Sequence, residues 1–337
     1  VLENPNKDLF FSCDWGTSSF RLRLANRYSG SVIEEQCSEE GIKNTWVLWR
    51  KQQSIGSVDR RDFYLAIIQN HINLIEERFG RSLSGISLVI SGMASSSIGM
   101  EEIPYAVLPI KSDGTGVHVH RLEASRAFPH LVLLVSGLRS FDDVMRGEET
   151  QLLGCMNSEM NGRNLFIFPG THSKHVVVEN GEVIDFKTYM TGEFFELLSM
   201  DSILKEAVKK DMPFNVEAEN SFKKGLLDSA KSNVLHSVFK VRTNVLFDAM
   251  TVGENYYYLS GLLIGAELKG INSAEFDRIY LCCTASLLVY YKIAVEVSQI
   301  AKKVHIFPAH SAEGAVLGGH LKILNNTQSN HGRFFLG

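Results

Sequence analysis

No apolar run in this chain approaches the length of a membrane span, and its opening residues show no signal-peptide core. A spanning or secreted protein is therefore not expected. Basic residues are not in excess either: 34 Lys and Arg stand against 38 Asp and Glu, a net charge of -4. Without a basic stripe, a nucleic-acid partner is not expected. Cysteine is sparse and unpaired in pattern. The five residues Cys13, Cys37, Cys155, Cys282 and Cys283 are odd in number and form no C-x-x-C spacing. Reduced, mostly buried thiols and a cytoplasmic location follow as the expectation. The chain also lacks a G-x-x-x-x-G-K-[ST] loop, a G-x-G-x-x-G after its first strand, and a G-x-S-x-G elbow. P-loop, Rossmann and α/β-hydrolase chemistries lose their motifs with them. His118-Val119-His120 could be read as a metal pair, but no Cys or acidic cluster of metal spacing accompanies it.

What is present is an ordinary globular composition, 45% hydrophobic and 21% charged, over 337 residues, which is long enough for two cores. Hydrophobic periodicity gives the same order of elements twice. The first half reads as strands 9–13, 20–25 and 31–36, a helix near 61–79, strands 86–91 and 131–135, and a helix 148–160. The second reads as strands 165–168, 175–179 and 182–187, a helix 254–268, strand 278–283, helix 286–299, strand 304–307 and helix 311–324. Asn180-Gly181 closes the second meander as a hairpin turn. A three-strand meander followed by alternating helix and strand makes a mixed sheet, antiparallel at first and parallel after the crossovers. Two such copies predict an α/β protein of two ribonuclease-H-like domains, the duplicated architecture of actin, Hsp70 and the sugar kinases, with ATP in a cleft between them. The expected limits are 1–157 and 158–337. Residues 200–250 form a helical insert in the second domain, and the last helix is free to cross back onto the first.

Asp14-Trp15-Gly16-Thr17-Ser18-Ser19-Phe20-Arg21 follows the first apolar strand. A tight turn of Gly16, Thr17 and Ser18 can bring backbone N–H groups to phosphate oxygens. Asp14 can then hold a metal-bound water, and Arg21 can face the same charge. A polar hairpin turn has the same composition. Phe166-Ile167-Phe168-Pro169-Gly170-Thr171-His172-Ser173-Lys174-His175 repeats the arrangement at the equivalent place. That makes Gly170, Thr171 and Ser173 the matching cradle for a triphosphate. Lys174 either adds a charge there or is solvated.

Two further segments carry candidate chemistry. Arg146-Gly147-Glu148-Glu149-Thr150-Gln151 opens a helix, where acidic residues are favoured by the macrodipole alone. The aperiodic segment 141–147 before it reads as a site loop. A carboxylate at this boundary between the repeats can accept the proton of an attacking hydroxyl, and Arg146 can hold an anion. Ser91-Gly92-Met93-Ala94-Ser95-Ser96-Ser97-Ile98-Gly99-Met100 follows a strand at the carboxyl edge of the sheet, where open α/β sheets bind ligands. Gly92, Met93, Ser96 and Gly99 are the candidates for a polyhydroxy substrate. A flexible surface loop has a similar composition.

Val144-Met145-Arg146-Gly147-Glu148-Glu149-Thr150-Gln151-Leu152-Leu153-Gly154 resembles the central signature of the 2-dehydro-3-deoxygalactonokinases. Asp14-Trp15-Gly16-Thr17, Pro169-Gly170-Thr171-His172-Ser173-Lys174, Met190-Thr191-Gly192-Glu193 and Ser260-Gly261-Leu262-Leu263-Ile264-Gly265-Ala266-Glu267 are similar to the family's other blocks, in family order from about 12 to 320. The resemblance implies ATP-dependent phosphorylation of the terminal hydroxyl of 2-dehydro-3-deoxy-D-galactonate. Mg²⁺ would accompany ATP, and Asp14 would act through the metal's water. It implies a base at Glu148, with Glu149 as rival, and an arginine of the first phosphate motif at Arg21. A small sugar acid and ATP would be the partners, without nucleic acid or membrane, and a homodimer stays open. So does a kinase for another sugar or sugar acid, or a non-catalytic actin-like nucleotide binder. Cys282-Cys283-Thr284-Ala285-Ser286 replaces a glycine-led turn of the adenosine site. Thr284 is the expected contact there, and Cys283 is expected to crowd a backbone that approaches the nucleotide. Met100 and His175 stand where relatives often carry other residues.

Overall fold

The computed structural model describes residues 6–157, 160–307 and 309–333, with the backbone alone at 309–313 and 328–333. The chain divides into two compact units. One comprises Val1–Met160, Gly181–Asp185 and Glu313–Gly337; the other comprises Asn161–Asn180 and Phe186–Ala312. The expected limit at 157/158 falls beside residues 158–159, which lie outside the described residues. Unit membership is not a single cut in the sequence, because the C-terminal stretch from Glu313 groups with the first unit.

In the first unit, β1 (Leu9–Trp15) buries Phe10, Phe11, Cys13 and Trp15 completely. It forms a hairpin with β2 (Phe20–Asn26) in a register that sets Asp14 opposite Arg21. β3 (Val32–Ser38) continues the meander antiparallel to β2. Two helices follow, α1 (Ile42–Gln53) and α2 (Arg60–Phe79). The Asp59 side chain caps α2 by accepting the Asp62 N–H, and left-handed Gly80 ends it. This crossover returns the chain as β4 (Leu88–Gly92), parallel to β1. Short strands β5 (Ala106–Val107), β6 (Ile110–Lys111) and β7 (Val119–Leu122) lead to β8 (Val132–Val135), parallel to β4. The sheet order is β3-β2-β1-β4-β8-β7. A small sheet of β5, β9 (Leu138–Arg139) and β10 (Val144–Met145) then delivers the chain to α3 (Glu148–Cys155).

The second unit repeats the order. β11 (Arg163–Phe168), β12 (Ser173–Glu179) and β13 (Glu182–Tyr189) form the meander, and Glu182 and Val183 at the start of β13 pair with β6 and count with the first unit. Helices α4 (Thr191–Met200), α5 (Val216–Lys231), α6 (Val234–Leu246) and α7 (Val252–Leu268) precede β14 (Arg278–Leu281), which is parallel to β11. α8 (Ala285–Val297) carries the chain to β15 (Val304–Ile306), parallel to β14, and α9 (Ala309–Arg333) closes the chain. In both sheets the three strands of the meander stand third, second, first and are followed by two strands parallel to the first, β3-β2-β1-β4-β8 and β13-β12-β11-β14-β15, with β7 added beyond β8 and β6 beyond β13. That is the ribonuclease-H-like arrangement predicted from the repeated meander.

Close helix packing fixes the second core. α7 is buried on most of its circumference, and α5 lies against it without intervening side chains. A methyl group at Gly261 would sit 2.1 Å from the Phe222 carbonyl oxygen, and one at Gly225 would sit 2.1 Å from that of Tyr258. Both helices therefore meet backbone to backbone. The helices at 216–231 and 234–246 occupy the segment read as an insert. α1 was not predicted, and its sequence explains why: only Ile42 and Thr45 are buried, so it has no apolar stripe to read. The helix expected at 148–160 stops at Cys155, and the strand expected at 278–283 stops at Leu281.

Candidate active site

β1 and β4 end side by side in the first unit, and their carboxyl ends assemble the first group of polar residues. Trp15 pairs with Gly92 across them, and Gly92 has a positive φ of +87°. A Cβ there would lie 2.7 Å from the Trp15 carbonyl oxygen, so only glycine lets the 92–100 segment leave the sheet so close to Asp14. The turn after β1 is closed by the Gly16 N–H donating to the Ser19 carbonyl oxygen at 2.9 Å, and Thr17, Ser18 and Ser19 are exposed. The start of α1 clamps this turn: the Ile42 and Lys43 N–H groups donate to the Gly16 and Thr17 carbonyl oxygens at 3.0 and 3.1 Å. Its carbonyl oxygens thus face α1. Asp14 has its carboxyl pKa raised, chiefly by desolvation, with Glu148 adding to the rise and Arg21 and Arg23 opposing it. Arg21 lies 3.9 Å from Glu35, is half-exposed, and its charge is favoured by a contact with Cys37.

The two glutamates at the start of α3 separate sharply. Glu148 is half-buried and accepts the Arg146 N–H at 3.1 Å. Its charge acts on Asp14, so the two carboxylates share one locality. Glu149 is completely buried. It accepts the Gly147 N–H at 2.6 Å and bonds the Thr150 hydroxyl at 3.1 Å. Desolvation first, and the Glu148 charge second, push its pKa to about 8. Glu149 therefore anchors the helix start from inside, and Glu148 is the half-buried carboxylate of the pair.

The 92–100 segment is not a flexible surface loop. A 3₁₀ turn at Met93–Ser95 opens it, Ser96 Oγ donates to the Met93 carbonyl oxygen at 2.7 Å, and Gly99 is buried where a Cβ would meet the Ala94 carbonyl oxygen at 2.2 Å. Ser96 and Gly99 thus shape the segment, while Met93 is half-buried at its start. Arg146 lies across it. Its Nη1 donates to the Ser95 carbonyl oxygen and to Ser95 Oγ at 2.6 and 2.5 Å, and the guanidinium stacks 4.3 Å from the Tyr105 ring centroid. Arg146 Nε is buried without a partner. Among the described residues no carboxylate side chain forms an ion pair with this guanidinium. A fixed, incompletely paired cation of this kind suits a carboxylate ligand. Nothing in the sequence pattern singled out Ser95 and Tyr105, which hold it.

In the second unit, the turn between β11 and β12 exposes Gly170 and Thr171. Ser173 is buried: its Oγ accepts the Gly170 N–H at 3.3 Å and meets the Tyr291 hydroxyl at 3.4 Å. It braces the turn from within and is no open donor. Lys174 is also buried, with Nζ donating to the His172 carbonyl oxygen at 3.1 Å, so the solvated reading of this lysine does not hold. Beside the turn lies a pocket of about 260 Å³, bounded by Gly170, Thr191, Phe195, Tyr256, Tyr290 and the α8 start at Ser286 and Leu287, with Lys210 at its rim. Its aromatic and aliphatic walls with scattered hydroxyl groups suit a flat heterocycle. Thr284 is exposed and bonds Ser286 at 3.0 Å at the pocket's edge. Cys283 packs into the core with Ile167, Leu281 and Tyr291, and burial lifts its thiol to about 11. Phe195, Tyr256 and Tyr290 were missed as pocket-lining residues, because aromatics at helical spacing read as core.

A metal would find no ready cluster of three ligating side chains among the described residues. The neighbouring carboxylates Asp14 and Glu148, one of them already strained by desolvation, suit a hydrated divalent cation held through water. No helix of the described residues is long and apolar enough to cross a membrane.

The model of the 2-keto-3-deoxy-galactonokinase family matches residues 14–317. The 2-dehydro-3-deoxygalactonokinase of Escherichia coli strain K12 is 31% identical over 295 residues, which cover 85% of this chain and 89% of that protein. A probable 2-dehydro-3-deoxygalactonokinase of Rhizobium meliloti strain 1021 is 29% identical over 292 residues, with the same coverage of 85% and 89%. The crystal structure of a candidate 2-dehydro-3-deoxygalactonokinase from Sinorhizobium meliloti superposes with a TM-score of 0.77 at 28% identity, covering 94% of this chain and 99% of that one.

Proposed function

The chain belongs to the 2-keto-3-deoxy-galactonokinase family, and on that premise we propose that it transfers the γ-phosphoryl group of ATP to the terminal hydroxyl of 2-dehydro-3-deoxy-D-galactonate. The products are the 6-phosphate and ADP, in a cytoplasmic step of galactonate catabolism. The family match from 14 to 317 carries this reading, because it spans both phosphate turns and the Arg146–Glu149 block. The site chemistry supports it. In the first unit, Arg146, held by Ser95 and Tyr105, offers its remaining guanidinium donors to the substrate carboxylate. Glu148 takes the proton of the attacking hydroxyl as the new O–P bond forms and the bond from the γ-phosphorus to the bridging oxygen breaks. Glu149, its pKa pushed up to about 8 by burial, holds the helix start that aims Glu148. In the second unit the pocket takes the adenosine, and Gly170 and Thr171 meet phosphate oxygens. The turn at Gly16, Thr17 and Ser18, with Arg21 beside it, is the other candidate for phosphate contacts. Mg²⁺, held through water by Asp14, would neutralise phosphate charge.

A panel assay decides the substrate. ADP release with 2-keto-3-deoxy sugar acids and with neutral hexoses should be fastest with 2-dehydro-3-deoxy-D-galactonate and negligible with the hexoses. Preference for a neutral sugar would remove the carboxylate role of Arg146 and the named substrate together.

A further inference from the structure

Beneath the second phosphate turn lies a buried polar hub that no step above uses. Glu267, on α7, is 2% exposed, and both of its carboxylate oxygens are engaged. Oε1 meets His175 Nε2 on β12 at 3.0 Å. Oε2 accepts the Thr191 hydroxyl at the first position of α4 and the Tyr291 hydroxyl of α8, the latter at 2.8 Å. The Tyr291 hydroxyl in turn meets Ser173 Oγ, which accepts the Gly170 N–H of the turn itself. The start of α4 is fitted to the same turn: Glu193 N–H donates to the Thr171 carbonyl oxygen at 3.1 Å, and a Cβ at Gly192 would lie 2.7 Å from Thr171 Cα. One carboxylate thus ties three separate elements, β12, α4 and α8, to the helix that carries it. The exposed turn and two walls of the pocket hang on those elements.

We propose that Glu267 is a positioning residue for nucleotide binding: through His175, Thr191, Tyr291 and Ser173 it fixes the 169–172 turn and the α4 start against α7 and α8. A buried carboxylate is retained at such a place only when its partners satisfy it, and here every partner lies on an element that borders the nucleotide. Hydrophobic packing alone would leave the turn free to shift by the fraction of an ångström that phosphate hydrogen bonds do not tolerate. Glu267 itself does not line the pocket, so it acts on the ligand only through the residues it holds.

The inference rests on the reading of the second unit as the nucleotide side, and the test separates the two. ADP binding by calorimetry and steady-state KM values for ATP and sugar acid are measured for the wild type, Glu267→Gln and His175→Gln, each checked for folding by circular dichroism. If the wild type binds no ADP, the nucleotide reading falls, and this inference with it. If it does bind, Glu267→Gln should weaken ADP binding and raise the KM for ATP by roughly 10-fold, with the KM for sugar acid within about twofold. Tyr291→Phe should weaken ADP binding in the wild-type background and add little in the Glu267→Gln background, whereas a purely direct Tyr291 contact would cost the same in both. Unchanged ADP affinity in folded Glu267→Gln, or an equal rise in both KM values, overturns the positioning role. Should Glu267→Gln not fold, His175→Gln carries the test from outside the pocket, and an unaltered ADP affinity there overturns it as well.

Discussion

At the scale of single residues, Glu148 and Glu149 are neighbours in sequence with opposite environments, and burial decides their roles. Glu148 is half-buried and its charge acts on Asp14, so Glu148→Gln should lower kcat by about 10²–10⁴-fold while ADP binding, measured by calorimetry, stays near the wild-type value. Glu149→Gln should act on stability, not on turnover. The amide copies the neutral acid: its oxygen can accept the Gly147 N–H and its NH₂ can donate to Thr150. With a native pKa near 8, Glu149 keeps a proton that the unfolded chain releases near its ordinary value of 4.5. Between those values the native state binds more protons, so stability falls as pH rises, by up to about 1.4 kcal/mol per pH unit. His320, pushed by burial to about 3, works in the opposite sense below about 6.5, but it is common to both proteins. Urea midpoints at pH 5 and pH 8 should therefore drop less in Glu149→Gln than in the wild type. An identical pH slope would show that Glu149 is ionised in the native protein.

Elements were legible in the sequence where burial imposed a pattern. The meanders of β1 to β3 and β11 to β13 were readable because their first strands are short apolar runs buried throughout, Phe10 to Cys13 and Leu165 to Phe168, each followed by a turn of small residues. The Arg146–Glu149 block was legible by its aperiodicity next to a helix start. What stayed hidden was held by contacts rather than by pattern. α1 is pinned through Gly41, where a Cβ would lie 2.4 Å from the Thr17 carbonyl oxygen, and the pocket wall at Phe195, Tyr256 and Tyr290 looks like any helical core in one dimension. Glu267 lies within a motif block, yet its partners at 175, 191 and 291 are distant in sequence. The Gly225–Gly261 contact gives a prediction at this scale. Gly261→Ala pushes a methyl into a backbone carbonyl that has no rotamer to yield, so the cost should be at least the roughly 1–3 kcal/mol of ordinary overpacking. Urea unfolding should report that loss, and a loss below about 0.5 kcal/mol would mean that α5 slides along α7 at little cost.

For the molecule as a whole, each unit has its own share of the chemistry. The guanidinium of Arg146, its supports Ser95 and Tyr105, and the Glu148 carboxylate belong to the first unit; the aromatic pocket and the 169–172 turn belong to the second. A ligand slows amide exchange by stabilising the segments it contacts and whatever opens with them. ADP alone should therefore protect amides at 170–172, 191–193 and 284–287, and sugar acid alone those at 92–99 and 146–149. Hydrogen exchange read by mass spectrometry resolves these peptides without any turnover. Glu267→Gln sharpens the comparison, because the hub lies wholly within the second unit: it should reduce ADP protection at 170–172 and leave sugar-acid protection at 92–99 intact. Protection of 92–99 and 146–149 by ADP alone, with none at 170–172, would reverse the assignment of nucleotide and sugar acid between the units.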